Sequence, residues 1–159
     1  MKKENIRPRI IQPKLLYNKT VEFKEKSLYV INVSENVEYL EDTYRNKGVL
    51  THHHVTKTDM GIAWFNEFGV YLYDGKGVMN LLEKDAIRMI DESYWESFIG
   101  TNFNRALIGY IPKKRQLLIC TGALIGDVAI YDFVLRAWTI GSERITGIDT
   151  RTNFALKDE

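Results

Sequence analysis

One cysteine, three prolines and no long apolar run mark what this chain of 159 residues does without. Cys120 has no second cysteine to pair with, which excludes a small domain stapled by disulfides. Its place in the apolar run "QLLICTG" predicts a buried core thiol in a protein made in a reducing compartment. No stretch approaches the roughly 20 apolar residues that span a bilayer. The opening "MKKENIRPRI" lacks the apolar centre of a secretory signal. The expectation is a soluble protein made inside the cell. An excess of one charge is missing too, since 22 basic and 21 acidic side chains leave a formal net charge of +1. Bulk charge therefore supplies no field that would gather nucleic acid or an anionic membrane.

What is there is aromatic and apolar. An apolar fraction of 45% with 27% charged residues excludes general disorder, and the length suits one domain with a sizeable core. Nine Tyr, seven Phe and three Trp favour pleated packing over helical bundles.

Along the chain, residues 1–24 predict a basic arm or linker, on the strength of residues 1–14, where Lys2, Lys3, Arg7, Arg9 and Lys14 stand against a single Glu4. "SLYVINV" at 27–33 reads as a strand. "ENVEYLEDTYRNKG" at 35–48 places Val37, Leu40 and Tyr44 at helical spacing and is open between a helical turn and an irregular loop. From Thr51, "THHHVTKT", "GIAWFN", "GVYLYD" and "VMNLL" predict four short strands over 51–82, joined by tight turns in which glycine supplies positive φ. Residues 83–100 predict a helical insertion. Ser93 and Glu96 have capping-box spacing, Gly100 ends the helix, and Trp95 and Phe98 cover apolar surface. "RALIGYI", "RQLLICT", "DVAIYD" and "RAWTIG" then predict a second set of four strands over 104–141.

The two sets share a corner. Tyr73-Asp74 and Tyr131-Asp132 lie 58 residues apart, or 40 once the 18 residues of the insertion are set aside. That is near the roughly 40–45 residues of a four-stranded propeller blade. The fold expected over 25–159 is thus mainly β, with β-propeller-like antiparallel blades at 51–82 and 104–141 and the start of a further blade at 144–159. Propellers close with about four to eight blades, so this chain is expected to be part of a larger propeller. "TNFALKDE" reads as a first strand whose return is absent, which predicts that Glu159 is a cut end.

No catalytic, cofactor-binding or metal-binding residue is assigned. On a strand His52 and His54 would share a face with zinc-ligand spacing, but no cysteine or well-placed carboxylate joins them, and partly packed polar residues are the better account. Asp74 and Asp132, as equivalents in two blades, lie too far apart for a carboxylate pair and suit Asx turns. "GKG" at 75–77 lacks the length and the Ser/Thr of a phosphate loop and suits a hairpin. Ser93 lacks a nucleophile elbow. Trp64, Trp95 and Trp138 sit inside apolar patterns and suit packing over a stacking platform. The residues expected to matter are structural: Trp64, Tyr73, Asp74, Tyr131, Asp132 and Trp138.

"GIAWFNEFGVYLYDGKGVMNLLE", "SYWESFIG", "LIGYIPKKRQLLI" and "DVAIYDFVLRAWT", as an ordered set, resemble the propeller region of the tail muzzle (nozzle, or tail stabilisation) proteins of crAss-like short-tailed bacteriophages. The resemblance covers roughly residues 25–156, and family members are much longer. It implies a virion component and not an enzyme, made in the host cytoplasm. In that setting the chain forms a ring with its own copies below the portal, contacts tail hub and fibres, and lines a channel that DNA crosses without specific binding. It implies no cofactor and no membrane. A cellular propeller that binds other proteins is the second reading, and an enzyme or carbohydrate binder on the same fold the third.

Overall fold

The computed structural model describes residues 12–34, 37–100, 103–121 and 125–146. It is mainly β. Among the described residues fourteen strands form four antiparallel sheets beside one α-helix, and no sheet closes into a barrel. The chain divides into two compact units, Met1–His52 and His53–Glu159.

The first unit holds sheet 1, in which β1 (Gln12–Leu16), β2 (Lys19–Phe23), β3 (Ser27–Asn32) and β4 (Tyr39–Arg45) pair in chain order. Alternation decides its faces. Val21 pairs with Val30 and Phe23 with Leu28, and all four side chains are buried on one face. Thr20, Glu22, Tyr29 and Ile31 lie on the other, half-buried. Two expectations are corrected here. The arm or linker expected over 1–24 is a two-strand hairpin over 12–23, while residues 1–11 lie outside the described ones. The stretch 35–48, open between helical turn and loop, contains strand β4. Its helical spacing selects no buried face, since Val37 and Leu40 are exposed. The free edge of β3 instead gives its backbone groups partners.

The second unit holds the two predicted four-strand sets. Sheet 2 runs β5 (Val55–Thr58), β6 (Gly61–Asn66), β7 (Gly69–Tyr73) and β8 (Val78–Asn80) in chain order. A two-stranded hairpin, β9 (Glu83–Lys84) and β10 (Ile87–Arg88), precedes helix α1 (Glu92–Ile99). Sheet 3 runs β11 (Leu107–Ile111), β12 (Gln116–Cys120), β13 (Ile125–Asp132) and β14 (Ala137–Thr146). β14 extends past the expected boundary at 141 and pairs Thr146 with Ile125, so residues 144–146 belong to sheet 3 and begin no further one. The expected strand in 152–159 lies outside the described residues.

The insertion at 83–100 is thus a hairpin followed by a helix. Gly100 ends the helix with φ 60°, as expected, but its cap is Asp91, whose carboxylate accepts the Ser93 N–H at 2.9 Å. The capping-box spacing of Ser93 and Glu96 misplaced the start by two residues, because Asp91 is itself a strong cap. No described helix is long and apolar enough to cross a membrane.

One core joins sheets 2 and 3. Ala63, Phe65, Val70 and Leu72 from sheet 2 meet Leu117, Ile119, Ala129 and Tyr131 from sheet 3, with Trp95 and Ile99 of the helix in the same cluster. The other face of sheet 2 is buried as well: Ile62, Trp64, Tyr71 and Tyr73 are all at most 2% exposed. The central strands β6 and β7 are thus buried on both faces. Cys120 is buried, as its apolar setting predicts.

Candidate functional site

The repeated corner is the feature the sequence pointed to, and the structure gives its geometry. Asp74 Oδ1 accepts the N–H groups of Lys76 (2.8 Å) and Gly77 (3.0 Å). Asp132 Oδ1 accepts those of Val134 and Leu135, both at 2.9 Å. Each aspartate folds the chain back after the third strand of its sheet, as an Asx turn does. Burial pushes the Asp74 carboxyl upward, but the bonds from Gly77 and Lys76 outweigh it and hold the group below its ordinary value. Asp132 is lowered chiefly by the Leu135 N–H and then by Gln116, whose side chain donates to it at 3.0 Å. These carboxylates organise backbone.

A third corner escaped the sequence reading. Asn32 stands at the end of β3, 42 residues before Asp74, and its Oδ1 accepts the Ser34 N–H at 2.9 Å. The register makes the three corners equivalent. Asn32 lies opposite Lys19 and Asp132 opposite Gln116, each the first residue of its second strand. Asp74 follows Tyr73, which lies opposite Ile62, and so falls opposite Gly61, the first residue of β6. An asparagine after "VI" lacks the Tyr-Asp signature, which is why only two repeats were legible.

Equivalent corners let the faces be compared. Each sheet has a tyrosine face, carrying the position of Tyr73 and Tyr131, and an Asx face, carrying that of Asp74 and Asp132. In the second unit, the tyrosine face of sheet 3 packs on the Asx face of sheet 2. The first strands β5 and β11 lie side by side, and Tyr110 Oη donates to Asp59 at 2.9 Å. At the fourth strands the indole N–H of Trp138 donates to the Leu81 carbonyl at 2.8 Å. Trp95, wholly buried, donates to the Asn66 carbonyl at 2.9 Å and lies 6.3 Å from both Phe65 and Trp138. Like strands face like strands, and the helix closes the gap between the sheets. Trp64 packs on Tyr71 at 5.6 Å, and Tyr131 lies 5.1 Å from Trp138.

The histidine triplet departs from its expected strand. His52–His54 is a single 3₁₀ turn, in which residues two apart point about 240° from each other, so His52 and His54 share no face. His54 is wholly buried between Phe65 (4.5 Å) and Phe103 (4.6 Å), with Nε2 3.0 Å from the Phe103 carbonyl. Among the described residues no three His, Cys, Asp or Glu side chains gather as metal ligands would. A recess of about 150 Å³ lined by Glu67, Glu96, Ile99, Gly100 and Phe103 falls below the roughly 300–1,000 Å³ of small-molecule sites. What repeats is the four-stranded sheet with its Asx corner.

No protein-family model matches the sequence, and no curated protein matches it.

Proposed function

We propose that the chain is a wall segment of a β-propeller in the tail of a short-tailed bacteriophage, of the muzzle or nozzle kind. In this reading it lines part of the DNA-ejection channel below the portal and tail hub and helps retain the genome until ejection. The observation that carries it is the packing of two equivalent four-stranded sheets, 2 and 3, first strand beside first strand. Radial repetition of such sheets is how propellers are built. The ordered likeness of residues 25–156 supplies the tail context.

The mechanism is mechanical. Strands joined into sheets by hydrogen-bonded ladders, and sheets locked together by indoles, resist deformation when the channel is loaded. A formal net charge of +1 suits a wall that DNA slides past without a strong counterion-release grip. Ring contacts with neighbouring copies and with hub and fibre proteins would use the loops and outer sheet faces.

Mass spectrometry of purified phage particles tests the assignment. Peptides of this chain are expected among the structural proteins, in proportion with other tail components. Their absence from particles would remove the tail reading and leave a cellular propeller scaffold in first place.

A further inference from the structure

We infer that copies of this chain associate head to tail, the tyrosine face of sheet 1 in one copy seating on the Asx face of sheet 3 in another. The inference takes the stacked-sheet reading as its basis and does not require a virion. Of the six faces of the three four-stranded sheets, four are buried. On the Asx side, Val21, Phe23, Leu28 and Val30 of sheet 1 and Ala63, Phe65, Val70 and Leu72 of sheet 2 are at most 3% exposed. On the tyrosine side, sheets 2 and 3 are buried as described above. The two that remain are of opposite kinds.

The Asx face of sheet 3 presents Leu118, Val128, Ile130 and Ile111, half-buried and uncharged, around the buried Cys120. These side chains hold the register positions of Ala63, Val70, Leu72 and Thr58. The tyrosine face of sheet 1 presents half-buried Tyr29 and Ile31 with Leu15 and Leu40, which are 60% and 57% exposed. Leu15, Thr20, Ile31 and Leu40 form one cross-strand row, the counterpart of the row Tyr110, Leu117, Tyr131 and Trp138 in sheet 3. That second row belongs to the face already packed on sheet 2. A tyrosine face on an Asx face is therefore the contact the chain makes internally, and the intermolecular contact continues it.

Charge sets its strength. Glu22 stands at the register position of Trp64 and Ile119, and Lys24 Nζ lies 4.6 Å from the Tyr29 ring. Desolvating a carboxylate there opposes association, so the contact is weak and reversible. A face pair of two different surfaces is heterologous and builds rings or open chains.

Sedimentation velocity on the 159-residue chain, over a wide concentration range, tests this. The weight-average sedimentation coefficient should rise with concentration. Glu22→Leu should shift that rise to roughly tenfold lower concentration. Ile31→Glu and Ile130→Glu should each sediment as monomers, and Val134→Glu, at an exposed hairpin tip outside both faces, should behave as the parent. Far-UV circular dichroism checks that each variant folds. The decisive arm mixes Ile31→Glu with Ile130→Glu, since each keeps one intact face. Their mixture should form a dimer and nothing larger. Monomers at every concentration for both the parent and Glu22→Leu would overturn the inference, as would self-association of Ile31→Glu alone or failure of the mixture to pair. Those results leave the particle test above untouched, because a chain that stays monomeric in solution and one that is missing from particles are separate outcomes.

Discussion

At the scale of single residues, the two corner aspartates serve the backbone. Asp74 and Asp132 are held below the ordinary carboxylate range by the N–H groups they accept. Such a group stabilises the fold above its unfolded value near pH 4, and that contribution is lost as pH falls through the lowered folded value. Asp132→Asn keeps the acceptor, as Asn32 does in sheet 1, and should flatten the acid limb of an unfolding curve followed by circular dichroism. Asp132→Ala loses the turn and should lower Tm at neutral pH. Equal Tm values for Ala and Asn would show that the corner bonds are dispensable. Cys120 makes the opposite case, its thiol pushed up to about 11 by burial. In the folded protein it should react with a disulfide reagent at pH 8 roughly a hundredfold more slowly than in denaturant, following the thiolate fraction. Similar rates in both states would place the thiol outside the core.

At the scale of elements, the insertion that interrupts the repeat also cements it. Trp95 is wholly buried and its N–H holds the Asn66 carbonyl, so Trp95→Ala should cost about 3–5 kcal/mol in denaturant unfolding. Trp138, only half-buried, should fall at or below the lower end of that range. A cost under about 1 kcal/mol for Trp95→Ala would mean that the helix merely rides on the sheets. Gly61 opens β6 at φ 143°, and a Cβ there would come within 2.0 Å of the Tyr73 carbonyl oxygen, directly beside the Asp74 corner. Gly61→Ala should therefore destabilise sheet 2 although alanine adds only a methyl group. Amide exchange should order the strands: β6 and β7, buried on both faces, exchange slowest, and exposed β4 exchanges quickly. Protection of β4 equal to that of β6 would contradict the burial pattern.

At the scale of the whole molecule, two of the three four-stranded sheets were legible, along with their strand order and the place of the interruption. The third was not, and its concealment has a physical cause. Val37 and, on β4, Leu40 and Tyr44 stand at helical spacing, and an outermost strand with little to bury shows no clean period of two to set against it. β1 begins among basic residues and prolines that read as an arm. The histidines misled for a related reason: the propensity reading has no access to Phe65 and Phe103, the rings between which His54 is buried. The tail assignment makes its own demand at this scale. If the sheets form a channel wall, Trp138→Ala should yield phage with defective tails, scored by electron microscopy and infectivity. Normal tails and titre would count against the assignment.

Sequence alone determined the local grammar of this protein: β-rich alternation, a Tyr-Asp corner written twice, a helix that ends at Gly100, and a cysteine set inside an apolar run. Each of these depends on residues close together in the chain, where spacing and side-chain chemistry suffice. Tertiary structure decided the rest, namely the third equivalent corner at Asn32, the cap at Asp91, the 3₁₀ turn of the histidines, and which apolar faces are buried. Those outcomes depend on strand register and on contacts between residues up to 57 apart, such as Leu81 and Trp138. A one-residue change of register would exchange the tyrosine and Asx faces of a sheet, and local composition carries no term that forbids it.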